Sequence, residues 1–249
     1  MANNWTRAET ILAFNLYCKI PFGRIDQRNP EIIALANRLG RTPGSVSYKL
    51  ANLARLDPAL RKRNIAGASH GSKMDEEVWN EFQDNWDALA YESEVLLSQP
   101  DSTLVEEPTE FPEGGMRESL VKTRVNQQFF RAAVLAAYEG QCFITGLAIP
   151  ELLNASHIVP WKTDAKNRTN PRNGLCLNRL HDCAFDSGLL TITPKLKVRL
   201  SPLIEKRSNE PATRYFLLRY KDALLKAPRR FAPDPEFLQY HNDVIFQSR

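Results

Sequence analysis

Three polar residues at set intervals constrain this chain more than its composition does. The run Ala155-Ser156-His157-Ile158-Val159-Pro160-Trp161 precedes Asn173-Gly174-Leu175-Cys176-Leu177, and then His181-Asp182-Cys183-Ala184-Phe185-Asp186-Ser187-Gly188. A histidine, an asparagine and a second histidine therefore fall within one compact segment. They supply a base, an amide able to fix a loop, and a metal ligand. Those are the parts needed to cut a phosphodiester with one divalent ion.

The surrounding pattern gives these residues a scaffold. Gln141–Thr145 reads as a short strand, Gly146 as a turn and Leu152–Val159 as a returning strand. A polar loop from Lys162 to Arg172 follows, Asn173-Gly174 signals a turn, and Leu177–Phe185 reads as a helix. Hairpin, loop and helix in that order form a ββα layout, with His157 near the end of its second strand. An unperturbed imidazole titrates at about 6.5, which suits a base near neutral pH. His181 and Asp182 are adjacent on the helix, and Asp186 lies one turn beyond Asp182. Asp186 reads more simply as a capping or loop-bonding carboxylate. Around this unit, Glu118 to Tyr138 reads as a helix with Val121, Val125, Phe129, Ala132, Ala133 and Ala136 on its buried stripe. A hairpin is expected at Gly188–Thr193 and Lys197–Leu200, and helices at Thr213–Ala227 and Pro235–Phe246.

Charge is unevenly distributed. Residues 1–100 carry 12 Lys and Arg against 12 Asp and Glu, residues 101–118 carry 1 against 6, and residues 119–249 carry 20 against 11. A cationic C-terminal half fits a polyanionic partner, although charge alone equally describes a solvated basic surface. The acidic, Pro- and Gly-containing stretch 98–116 reads as a linker. It divides the chain into 1–97 and 117–249. The first part reads as helices at Trp5–Tyr17, Glu31–Leu39, Pro43–Leu53 and Met74–Leu89. Gly40 stops one helix, Thr42 caps the next and Pro43 opens it. This pair is either a helix-turn-helix or an ordinary helical hairpin. In the helix-turn-helix reading Arg41 contacts phosphate, and Ser45, Ser47, Tyr48, Lys49 and Asn52 face a groove. Arg61-Lys62-Arg63 is a basic cluster of the kind common in solvated loops. Trp79 and Trp86, seven residues apart, read as core.

The residues from Phe129-Phe130-Arg131 through Tyr138, Cys142, Thr145-Gly146, Ala155-Ser156-His157-Ile158, Pro160-Trp161, Asn173-Gly174-Leu175, His181, Phe185-Asp186 and Gly188-Leu189 resemble the HNH nuclease domain of bacterial restriction-type endonucleases. Pro235, Phe237-Leu238 and His241 resemble its end. The N-terminal part resembles, more weakly, the domain often fused ahead of such nucleases. The resemblance implies an α+β chain: a helical, helix-turn-helix-like recognition domain and a ββα-metal HNH nuclease domain. It implies His157 as general base, Asn173 as the loop-orienting residue, and His181 at the third motif position, with Asp182 in reserve as metal ligand. Lys162 and Arg172, at the two ends of the polar loop, are expected DNA contacts.

Two departures stand out. Ser156 occupies a place where many HNH domains have an Asp or His ligand. A lean site of this kind suits Mg²⁺, which keeps several waters; Mn²⁺ or another divalent ion is the alternative. Where the zinc-bearing form has two Cys pairs, this chain has Cys142, Thr145, Asn178 and His181, so no structural zinc is expected. Cys176 and Cys183 read as small apolar residues.

The expected function is metal-dependent hydrolysis of double-stranded DNA, with or without modified bases, in a restriction or phage-defence system. The alternatives are a DNA-binding regulator that keeps an inactive nuclease fold, and a homing-type nuclease. No apolar run reaches the ~18 residues of a membrane span, four scattered cysteines make no disulfide framework, and a cytoplasmic location is expected. A homodimer would bring together the two sites that a double-strand break needs.

Overall fold

The structure is a computed structural model that describes residues 4–61, 71–98 and 115–248, with only the helical backbone for 115–120. Most of the expected linker, and Lys62 and Arg63 of the basic cluster, lie outside the described residues. The chain divides into two compact units, Met1–Ala136 and Ala137–Arg249.

The first unit is helical: α1 (Arg7–Lys19), α2 (Pro30–Arg38), α3 (Pro43–Leu56), α4 (Pro58–Arg61), α5 (Lys73–Phe82), α6 (Trp86–Ser98) and α7 (Gly115–Ala137). Gly40 takes φ +61° after α2, a conformation that costs glycine little. Thr42 accepts from the Ser45 amide, and Pro43 opens α3. Val46, Leu50 and Leu53 of α3 are fully buried, as are Phe14, Val78 and Phe82. Trp79 stacks on Phe14 with centroids 4.7 Å apart.

Two sequence expectations change here. The single helix expected at Met74–Leu89 is two, because the polar run Gln83-Asp84-Asn85 breaks it; Asp and Asn compete for backbone bonds and favour turns. The helix expected to open the second domain, α7, groups with the first unit. There the Phe129 ring lies 6.4 Å from that of Trp86, and the Lys19 ammonium lies 5.8 Å from the Phe129 ring centroid. Val121 is half exposed, so the buried stripe of α7 begins nearer Phe129.

The second unit holds the ββα motif. Strand β1 (Leu153–His157) pairs antiparallel with β2 (Gly174–Asn178), from Leu153 opposite Asn178 to His157 opposite Gly174. Helix α8 (Arg179–Asp186) follows at once, its N-terminus capped by Asn178, which accepts from the His181 amide. The strand expected at Gln141–Thr145 is a tight turn instead, closed by the Cys142 amide on the Leu147 carbonyl at 2.8 Å. The partner of β1 is Gly174–Asn178, which was read as a turn running into a helix. Leu175, Cys176 and Leu177 are all fully buried. A short continuous apolar run is ambiguous between strand and helix from periodicity alone.

A second hairpin, β3 (Leu190–Ile192) with β4 (Val198–Leu200), lies where it was expected. After α9 (Pro202–Glu205), the expected helix Thr213–Ala227 shortens to α10 (Pro211–Phe216) and one 3₁₀ turn, Leu218–Tyr220. Beyond it the chain runs along β4, with the Val198 amide bonded to the Ala223 carbonyl and the Asp222 amide to the Val198 carbonyl. Helix α11 (Pro235–Tyr240) ends in a wide turn at His241–Ile245 that returns the chain to α8. There Gly188 is indispensable. Its φ is +68°, and a Cβ would meet the Ile245 carbonyl oxygen at 2.2 Å.

Candidate nuclease site

The alternation of β1 places Asn154 and Ser156 on one side of the strand, and α8 presents Asp182 and Asp186, four residues apart, to that side. The Asn154 amide donates to Asp182 at 2.6 Å, and the Ser156 hydroxyl reaches Asp186 at 3.5 Å. Burial, and then the neighbouring Asp182 carboxylate, raise the Asp186 pKa to about 6, against a bond from Ser156 that lowers it. Two carboxylates and a hydroxyl therefore converge on the edge of the hairpin. They are hard oxygen donors, the set that suits Mg²⁺ or Mn²⁺ rather than a thiolate-seeking ion. Among the described residues no group of three or more His, Cys, Asp and Glu side chains is placed to hold a metal. An ion here would rest on the two carboxylates, with Ser156 and water completing its shell.

His157 is the residue after Ser156, at the end of β1. Its Nε2 lies 2.9 Å from the Arg168 carbonyl oxygen. A carbonyl only accepts, so Nε2 carries the proton and the ring's basic lone pair is on Nδ1. Burial lowers the pKa of this imidazole below its ordinary value, against a rise from the Arg168 bond. The ring is therefore neutral near pH 7, the state a general base requires. Its edge meets Trp161 at 5.4 Å between centroids.

The loop that carries Arg168 is tied at many points. Arg168 donates to the Trp161 carbonyl at 2.8 Å and lies over the Trp161 ring. Asp164 accepts from the Lys166 and Asn167 amides. Asn173, 1% exposed, closes the loop. It accepts from the Val159 amide at 2.8 Å and donates to the Val159 and Asn167 carbonyls. One buried side chain thus binds the exit of β1 to the loop that orients His157.

His181, expected as a catalytic and metal-ligating residue, is buried at 2% exposure with both ring nitrogens bonded within the protein. Its Nδ1 meets the Asn178 side chain at 2.9 Å and its Nε2 the Phe216 carbonyl at 3.0 Å. It sits beside Cys142, whose thiol also accepts from the Asn178 amide at 3.3 Å. Burial raises the Cys142 pKa, but bonds from His181, Thr145 and Asn178 outweigh it and bring the thiol to about 7. Sequence reasoning passed over Asn154 and gave Asp186 only a bland role. Period two on β1 and the i, i+4 spacing on α8 are the signals that group them.

The expected DNA contacts fare unevenly. Lys162 and Arg172 are exposed, Arg172 in an ion pair with Asp234 at 3.0 Å. In the first unit Tyr48 is exposed, and Ser45 and Ser47 are partly so. Lys49 and Asn52 are buried, at 3% and 6% exposure, which removes them from any groove-facing surface. Arg41 is also committed internally. It binds Glu9 through two nitrogens at 2.7 Å and lies 4.4 Å from the Trp5 ring centroid.

Residues 142–193 match the family model described as HNH endonuclease. The match spans β1, the loop, β2, α8 and β3, and so covers His157, Asn173, Asp182 and Asp186. No curated protein matches the chain. The second unit of this chain thus contains a segment similar to HNH endonucleases, which supports a nuclease.

Proposed function

We propose that this protein is a metal-dependent DNA endonuclease of a restriction or phage-defence system, acting in the cytoplasm on double-stranded DNA. The observation that carries the reading is the convergence of Asn154, Ser156, Asp182 and Asp186 on one side of β1, inside the segment similar to HNH endonucleases, with the neutral His157 ring at the end of the same strand. A neutral His157 takes a proton from water and directs the resulting nucleophile at phosphorus. Asn173 is a positioning residue that holds the loop, and through it the ring. Asp182 and Asp186 would hold a Mg²⁺ or Mn²⁺ ion. Such an ion, when bound, neutralises charge on the leaving oxygen as the bond breaks. Lys162 and Arg172 flank the site as phosphate contacts. The first unit supplies target choice, including any preference for modified bases, and a homodimer supplies the second site that a double-strand break requires.

The test is plasmid cleavage across a titration of Mg²⁺ and Mn²⁺. The wild type should cut only with a divalent ion. Asp182→Ala should raise the required metal concentration at least about tenfold, within the 10–100-fold range that loss of metal-site support brings. His181→Ala should lower the melting temperature and leave that requirement unchanged. Cutting in chelator, or clean DNA binding without cutting under any ion, would refute the reading; the second outcome would favour a regulator.

A further inference from the structure

On the second unit, an open groove runs between the first turn of α8 and the segment from α10 to Tyr220. Its surface combines two features. It is aromatic and apolar where it should be wet: Tyr215 is 62% exposed, Phe216 50% and Leu180 47%. It is also purely cationic. Arg179 and Arg219 line this groove, Arg214 lines the shallower pocket that continues it, and neither lining includes an acidic residue. None of these three arginines forms an ion pair with a described residue. Arg219 instead lies 5.2 Å from the Tyr215 ring centroid and 5.3 Å from that of Tyr220.

The groove is built, not incidental. The Phe216 carbonyl is held by His181, and the His181 ring packs edge-on against Tyr220 at 5.4 Å. The same histidine therefore fixes the floor of this groove.

We propose that this groove binds an unpaired nucleotide segment of the DNA, with bases stacked on Tyr215 and Phe216 and phosphates held by Arg179, Arg214 and Arg219. The choice of occupant follows from charge and from ring faces. Three unpaired cations ask for a polyanion. An exposed aromatic face offers stacking only to a base whose own face is open, which a paired duplex does not provide. The proposal rests on the nuclease reading for the identity of the polymer, but binding can be measured without cleavage.

The experiment uses the full chain in chelator and follows fluorescence anisotropy with a labelled oligothymidylate and with a duplex of equal length. Wild type should bind the single strand. Tyr215→Ala should weaken that binding about tenfold or more, as loss of one base-stacking aromatic does. Tyr215→Phe should retain it, and neither change should move duplex affinity by as much. Absence of single-strand binding, or equal losses on both probes, overturns the proposal. So does a change in sedimentation with Tyr215→Ala and none in DNA affinity, which would assign the groove to a second copy of the chain. A chain that binds oligothymidylate in this Tyr215-dependent way but never cuts would sink the nuclease reading and leave the groove assigned.

Discussion

Asn173 shows how much one side chain can carry. Its amide makes bonds at 2.8, 3.1 and 3.2 Å, all to backbone groups of the loop that orients His157. Asn173→Ala would leave the Val159 amide and two carbonyls without those partners, at a cost of about 1–3 kcal/mol for a buried orphaned group. Urea denaturation should show that loss, and cleavage should fall with it; unaltered stability would contradict the role given to this residue. His241 makes a second residue-level prediction. It is buried, stacks on Phe185 at 3.6 Å between centroids, donates to the Phe185 carbonyl and accepts from Thr191. Burial depresses its pKa to about 4, against a rise from the Phe185 bond. The unfolded chain then holds the extra proton between about pH 6.5 and pH 4, so stability is complete above that window and falls as pH drops through it. The loss should approach about 3 kcal/mol before levelling off below pH 4. Denaturation midpoints measured at about pH 7 and about pH 5 should differ less in His241→Gln than in the wild type; an equal difference would contradict the assignment. The loop-bonding place of Asn173 was legible because its chemistry is local. His181 was not, because the same letter serves as ligand or as buried hydrogen-bonding residue according to which face of α8 it occupies, and that depends on where β2 ends.

At the level of elements, two capping boxes account for the cations that looked like DNA contacts. Glu9 caps α1 with Thr6 and also binds Arg41; Asp75 caps α5 with Ser72 and also binds Lys49. Both cations lie over the Trp5 ring. The entry to α3 is thereby bolted to the start of α1 and its middle to the start of α5, and a helix so held has its polar residues spent on packing. Asp75→Ala would strand the Lys49 ammonium in the core, a change worth about 3–5 kcal/mol, whereas an exposed pair such as Arg28–Asp26 is worth little. Thermal melts of Asp75→Ala and Asp26→Ala should differ accordingly; equal melts would contradict the assignment. From sequence, the caps at Thr42 and Pro43 were readable, because capping is a rule of neighbours. The destination of Arg41 and Lys49 was not, because Glu9 and Asp75 lie 32 and 26 residues away.

Across the whole molecule, the boundary between units lies later than the composition of the chain suggests. Pro, Gly and acidic residues marked 98–116 as the divide, yet α7 keeps Phe129 against Trp86 in the first unit. A chain beginning at residue 98 would keep α7 without that partner and expose Phe129 to water. A chain beginning at residue 137 would not. The shorter fragment should be the more soluble and bind less hydrophobic dye; the reverse order would contradict the division. The mixed α+β character and the places of β1 and α8 were readable from motif spacing, but β2 was not: a strand was expected at Gln141–Thr145, and the pairing of β1 with Gly174–Asn178 is non-local and leaves little local trace. The central claim is that the His157 ring performs the chemistry at a site whose cation rests on Asp182 and Asp186. Its most direct measurement is the rate of plasmid cleavage by His157→Ala beside the wild type at saturating Mn²⁺, with both chains shown to be folded. The account predicts a loss of about 10²–10⁴-fold, the share a general base supplies; cleavage at the wild-type rate would contradict it.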